Sequence, residues 1–269
     1  MLETIINAKK REVSQLKSRI PVQELEKTVS KMDLSVPGFS GALSRSGPGI
    51  IAEIKYKSPS HGWFACTLEP EEIAGIYAAN GADALSVLTD ETFFAGRLEY
   101  LDRIRRHLDS ADLKNPIPLL RKDFIIERYQ VLEARIQGAS ALLLIAAVLD
   151  GSELKELLEV SRENGLEALV EVHDPRELDM VMDCGAGIIG VNNRNLKTFE
   201  VNIRTSFNIA RRLEGESGFL LVAESGISEA SQINELHDAG FDAFLVGSAF
   251  MDNPNPGEPL AGLLEGVQK

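Results

Sequence analysis

The sequence predicts an α/β fold, a (β/α)8 TIM barrel preceded by an N-terminal helical extension, and three observations carry that reading. A phrase recurs: Gly81-Ala82-Asp83-Ala84-Leu85-Ser86-Val87, Gly138-Ala139-Ser140-Ala141-Leu142-Leu143-Leu144, Gly185-Ala186-Gly187-Ile188-Ile189-Gly190-Val191 and Gly240-Phe241-Asp242-Ala243-Phe244-Leu245-Val246. Each copy follows a helical stretch and opens an apolar run. That is a helix ended by a left-handed glycine, a tight turn and a buried parallel strand. Second, eight apolar runs lie near residues 50–55, 83–87, 117–121, 141–145, 167–171, 187–191, 219–223 and 242–246. Third, helix-start signals fill the gaps: Pro70-Glu71-Glu72, Asp150-Gly151-Ser152-Glu153 and Asp174-Pro175-Arg176-Glu177, the last an N-cap with proline at the first helical position. Eight alternating units favour a closed barrel, although an open doubly wound sheet uses the same alternation. No GxGxxG follows the first strand, which weakens the dinucleotide-binding form of that alternative.

In chain order, residues 1–48 stand outside the repeat as an extension, and 49–269 form the barrel of a single domain. Leu2–Ser18 reads as a helix, Pro21 breaks it, Val22–Lys31 reads as a second helix, and a short connection leads to Gly49. Ile5, Ile6, Val13 and Leu16 make a partial apolar stripe, so the extension is expected to pack on the barrel. Strand one, Ile50 to Tyr56, carries opposite charges at Glu53 and Lys55. Residues two apart on a strand share a face, and charges there are unfavourable unless paired or hydrated. The strand runs into Ser58-Pro59-Ser60-His61-Gly62, a polar loop of turn-formers.

Further polar residues gather at the same ends. Strand three leads into Arg121-Lys122-Asp123-Phe124, and strand five carries Glu171. Strand six runs into Asn192-Asn193-Arg194-Asn195, strand seven into Glu224-Ser225-Gly226, and strand eight into Gly247-Ser248. In a barrel these C-terminal ends build the active site. Ser225-Gly226 and Gly247-Ser248 fall where barrels bind phosphate after strands seven and eight, and Ser248-Ala249-Phe250-Met251 suits a short helix starting there.

Composition narrows the function. A net charge of −13 argues against nucleic acid or an anionic membrane as partner, so an anionic substrate must be drawn by local cations and N–H groups. No apolar run reaches the ~20 residues of a membrane span, and the N-terminus lacks a signal-peptide pattern. Cys66 and Cys184 have no metal-ligand spacing, so a reduced, cytoplasmic protein is the simplest reading.

With these residues assembled, the chain resembles the indole-3-glycerol-phosphate synthase family of tryptophan biosynthesis along nearly its whole length. The matching segments are Ile51-Ala52-Glu53-Ile54-Lys55 with Ser58-Pro59-Ser60, Leu88-Thr89-Asp90 with Phe94, and Arg121-Lys122-Asp123-Phe124. Later come Glu171-Val172, Gly190-Val191-Asn192-Asn193-Arg194-Asn195-Leu196, Ala223-Glu224-Ser225-Gly226-Ile227 and Val246-Gly247-Ser248. The resemblance implies a carboxy-lyase acting on 1-(2-carboxyphenylamino)-1-deoxyribulose 5-phosphate, with no cofactor and no metal. Lys122 matches the general acid; Lys55, Glu53 and Glu171 match the other acid and base positions. Ser58 and Arg194 are then expected on the substrate carboxylate, and Asn192 and Glu224 on its hydroxyls. Phe94, Phe124, Leu143 and Leu196 would wall the ring, and Lys55, Ser225, Gly226, Gly247 and Ser248 would hold the phosphate. Other enzymes of the same pathway become candidate partners.

One position departs from the family pattern: His61 stands where a lysine is usual, and a modest effect on affinity or loop motion is expected. His173, two residues after Glu171, is read as a loop residue rather than a metal ligand, because no HxH or HExxH pattern accompanies it. The nearest rival is another phosphate-binding barrel such as a sugar-phosphate isomerase. Isomerisation of phosphoribosylanthranilate would want a cysteine near the end of strand one, where Glu53 and Lys55 stand instead. A non-catalytic phosphate-binding module would not need those lysines and glutamates.

Overall fold

The computed structural model describes residues 1–33, 35–45, 47–111 and 115–268. Eight parallel strands close on themselves: β1 (Gly49–Ile54), β2 (Ala84–Leu88), β3 (Leu119–Lys122), β4 (Ala141–Ile145), β5 (Glu167–Val172), β6 (Ile188–Asn192), β7 (Leu220–Glu224) and β8 (Ala243–Val246). Strand β1 pairs with β2 and β8 at once, Ile51 standing opposite Ala84 on one side and Leu245 on the other. That closure decides against the open sheet.

The turn chemistry explains why the units form. Gly81, Gly138, Gly185 and Gly240 all have positive φ, between 74° and 104°, the conformation that ends each preceding helix without a Cβ clash. Helices Gly151–Glu163 and Pro175–Asp183 begin where Asp150 and Asp174 accept the orphan N–H groups of their first turns.

Along each strand, side chains alternate between two cores. Ile51, Leu120, Leu143, Leu169, Ile188, Val222 and Leu245 fill the barrel interior. Ile50, Leu85, Leu142, Val170, Ile189 and Phe244 face the surrounding helices.

Strand β1 stops at Ile54, two residues short of the expected Tyr56. The chain turns there because Lys57-Ser58 pairs antiparallel with Gly62-Trp63, and Phe64 N donates to Tyr56 O. The expected polar loop is thus the tip of a small hairpin.

The extension contains α1 (Leu2–Arg19), α2 (Val22–Val29) and a third helix that the sequence did not signal, α3 (Phe39–Leu43). Val13, Leu25 and Val29 pack with Tyr129 and Leu132 of the helix Arg128–Ile136. Phe39 and Leu43 plug the N-terminal mouth of the barrel as part of its interior core. The Glu167 carboxylate, at the start of β5, accepts the Phe39 and Ser40 N–H groups at 2.6 and 3.1 Å. Leu34 and Ser46, in the connection, lie outside the described residues. Among the described residues no helix is long and apolar enough to cross a membrane.

Candidate active site

A cavity of about 390 Å³ opens at the C-terminal ends of the strands, and every site residue expected from the sequence lines it. Its charged floor follows from side-chain alternation along the strands. Glu53, Lys122, Glu171, Asn192 and Glu224 occupy the last inward positions of their strands, two residues beyond Ile51, Leu120, Leu169, Gly190 and Val222, and Asn192 stands directly opposite Glu224. These are the positions where an apolar residue would otherwise extend the interior core.

Lys122 Nζ lies 2.5 Å from Glu224 Oε2 and 3.3 Å from Glu171 Oε2. Lys55 Nζ lies 2.5 Å from Glu53 Oε1, while the Ser86 hydroxyl stands 3.5 Å from Glu53 Oε2. Burial opposes the Lys122 charge, but Glu224, Glu171 and Glu53 outweigh it and keep the ammonium protonated. Burial likewise opposes ionisation of Glu171 and Glu53. Lys122 and His173 overcome it for Glu171, and Lys55 and Lys122 for Glu53, so both carboxyls sit below their ordinary range. Glu224 goes the other way. Burial, countered by Lys122 but reinforced by Glu171, pushes it up to about 7. Its Oε1 is buried with no hydrogen-bond partner among the described residues.

His173 is a loop residue, as expected, between β5 and the helix Pro175–Asp183, but its ring is engaged on both sides. Its Nε2 lies 3.2 Å from Glu171 Oε1, within ion-pairing range though poorly aligned for a hydrogen bond, and its Nδ1 is 3.0 Å from Glu177 Oε2. Burial would lower its pKa, yet the two carboxylates carry it up to about 10. The imidazolium is a second cation on Glu171. Among the described residues no group of three or more His, Cys, Asp or Glu side chains is arranged to hold a metal ion.

Two glycines make room for the carboxylates, Gly190 within β6 and Gly247 just after β8; the sequence marked Gly247 for phosphate, but neither residue for this clearance. A Cβ on Gly190 would stand 2.2 Å from Glu224 Oε1, and one on Gly247 2.5 Å from Glu53 Oε1. Backbone strain collects at the same end: among the described residues, the non-glycine ones with positive φ are Ala95, Phe199 and Ser225, and such strain persists only where the surroundings impose it. Ala95 closes the short helix Glu91–Phe94. Phe199, absent from the sequence expectations, lines the cavity, and its carbonyl accepts Arg194 Nη1 at 3.0 Å. Ser225 leads Gly226, whose φ is also positive and whose added Cβ would fall 2.4 Å from Val201.

The remaining expected residues divide the cavity between two ends. The Phe94 and Phe124 rings are 6.1 Å apart and, with Leu143 and Leu196, give an apolar end. Ser225-Gly226 and Gly247-Ser248, the latter opening the helix Ser248–Met251, give a polar end rich in backbone N–H groups. Asn192 Oδ1 accepts the Arg194 N–H at 2.9 Å, fixing where that arginine leaves the strand. Ser58 lines the cavity at the hairpin tip. His61 is not loose there: its Nε2 is 2.9 Å from Asp252 Oδ1, and its ring stacks on Phe64 at 4.3 Å. Met1, Leu2 and Ile5 of the N-terminal segment also line the cavity. The apolar stripe announced that this helix packs, but not that it reaches the site.

Comparison with known proteins adds a second line of observation. A family model described as indole-3-glycerol phosphate synthase matches residues 2–263. The chain is 42% identical over 268 residues to the indole-3-glycerol phosphate synthase of Bacteroides thetaiotaomicron, covering 100% of this chain and 99% of that one. It is 41% identical over 269 residues to that of Carboxydothermus hydrogenoformans, covering 98% and 99%. Among solved structures it resembles a 3-hexulose-6-phosphate synthase, with TM-score 0.64, 12% identity and coverage of 82% and 100%. It also resembles KGPDC from Streptococcus mutans, with TM-score 0.60, 11% identity and coverage of 82% and 97%. At those identities the structural matches speak to the barrel fold alone.

Proposed function

The chain belongs to the indole-3-glycerol phosphate synthase family, and from that premise we propose how its side chains divide the chemistry. The family's reaction is a decarboxylating ring closure and dehydration within tryptophan biosynthesis, and its substrate is a phosphorylated small molecule. The observation that carries the assignment is the pair of clamped lysines on one floor, Lys122 against Glu224 and Glu171, and Lys55 against Glu53.

The ring carbon bearing the carboxylate attacks the ketone, and the arylamine nitrogen supplies the electrons. Lys122, held protonated, delivers a proton to the developing alkoxide. Carbon dioxide leaves and aromaticity returns. Lys55, oriented by Glu53, then protonates the hydroxyl so that it departs as water, and Glu171 takes the ring proton that completes the indole. No redox or carbanion cofactor is needed in this sequence of steps. Arg194, with Ser58 near the mouth, grips the substrate carboxylate until it is lost, a fork-to-carboxylate match. Asn192 and Glu224 hold the hydroxyls. Phe94, Phe124, Leu143 and Leu196 wall the ring. Lys55, Ser225, Gly226, Gly247 and Ser248 receive the phosphate. We place the protein in the cytoplasm as a single-domain enzyme whose extension belongs to the barrel, with neighbouring enzymes of the pathway as candidate partners.

Single-turnover kinetics test the division of labour. Lys122→Ala is expected to block ring closure, whereas Lys55→Ala lets a closed but undehydrated species accumulate. Normal indole formation by the Lys122 variant removes its role, and absence of the intermediate in the Lys55 variant removes the order of steps. Turnover by the parent enzyme should survive a chelator.

A further inference from the structure

One buried side chain ties the N-terminal helix to the turns that flank the cavity. Lys9 is only 1% exposed, and its Nζ lies 2.9 Å from Glu12 Oε2, 3.1 Å from Asp90 Oδ2 and 3.0 Å from Asp123 Oδ1. A buried ammonium is tolerated only among such partners, and two of these three belong to the barrel. Asp90 caps the turn that carries Phe94: its Oδ1 accepts Phe93 N at 2.7 Å, and its carbonyl accepts Gly96 N at 2.9 Å. Asp123 stands between Lys122 and Phe124. Its Oδ1 accepts Phe124 N at 2.8 Å, while its Oδ2 takes the Thr89 hydroxyl at 2.6 Å and Arg121 Nη2 at 3.1 Å. One ammonium therefore joins the two turns whose phenylalanines form the apolar end of the cavity. Residues 2, 5 and 9 share a helix face, so the same contact sets Leu2 and Ile5 against that cavity.

We propose that Lys9 is a positioning residue for the substrate's aromatic ring, seating α1 as a wall of the cavity and holding the Phe94 and Phe124 turns in place. The inference rests on the reading that these two phenylalanines flank the ring. Lys9 touches no reacting atom. Its loss acts on binding of the aryl end, leaving the acid and base steps and the phosphate end as they were.

The test is Lys9→Met, which keeps the chain length and removes the charge. Steady-state kinetics, inhibition by inorganic phosphate and thermal unfolding are measured together. The Michaelis constant is expected to rise about tenfold, as small misplacements of a binding wall do, with kcat within about twofold and phosphate inhibition unchanged. If the single variant folds poorly, Lys9→Met/Asp90→Asn removes one uncompensated carboxylate while keeping a capping oxygen, and the same rise is expected. A folded variant whose Michaelis constant stays within twofold of the parent overturns the proposal. So does an equal loss of phosphate affinity, or a fall in kcat alone. Phe94→Ala and Phe124→Ala separate the two layers of argument. If neither raises the Michaelis constant, the ring-wall reading fails; if they do and Lys9→Met does not, only the positioning role fails.

Discussion

His173 shows how one residue can tune a reactive neighbour. Glu171 faces Lys122 and His173 as cations, and its charge in turn raises the neighbouring Glu224 carboxyl. An imidazolium beside Glu171 favours its ionised form, so removing it raises the carboxyl's pKa. His173→Gln should therefore move the acidic limb of kcat upward by about one pH unit, with the alkaline limb unmoved. A pH–rate profile of the variant checks this, and an unmoved acidic limb would separate Glu171 from the base role or His173 from Glu171. The same histidine bears on stability. Its pKa is raised to about 10, so its contribution is full below the ordinary histidine range and is lost as pH climbs through about 10.

At the scale of elements, strand β6 and helix α3 make opposite predictions. Gly190 sits in β6 facing Glu224, and a methyl group there has no room beside the carboxylate. Gly190→Ala should fold, because the strand ladder is untouched, yet lose about a hundredfold in turnover as Glu224 and Lys122 are displaced. Circular dichroism and kcat measured on one preparation decide it. Helix α3 lies at the far mouth of the barrel, where Glu167 caps its first N–H groups. Glu167→Ala should cost about 1–2 kcal/mol of stability in urea denaturation, with kcat unchanged.

For the whole molecule, the buried charge network around Asp123 couples the extension to the barrel and sets the response to acid. Burial alone would raise the Asp123 carboxyl. Arg121 and Lys9 outweigh it and hold the group at about 2. A depressed carboxylate contributes stability that is present above its ordinary pKa and lost as pH falls through the folded value. For Asp123 this amounts to about 2 kcal/mol between roughly pH 4 and pH 2. Glu53 and Glu171, also depressed, act in the same direction. Urea denaturation across that range should show the loss, and Lys9→Met should shift it to higher pH because one of the two cations is gone. A parent protein equally stable at pH 4 and pH 2 would contradict the network's role.

Local sequence was enough for the repeating βα units, the glycine-ended helices and the set of polar residues at the strand ends. Those signals are local: strand and helix periods, turn glycines and N-caps are read within a dozen residues. It also placed Glu53 and Lys55 together, two positions apart on one face. The folded chain alone reveals that Lys122 meets Glu224, 102 residues away, that His173 lies between Glu171 and Glu177, and that Lys9 reaches Asp90 and Asp123. The same holds for α3, five residues with no side-chain cap of their own, whose helix depends on Glu167 and the open barrel mouth. Closure of the sheet brings distant strand ends to one level, and which charges then pair is fixed by distance across the barrel, a quantity no local pattern encodes.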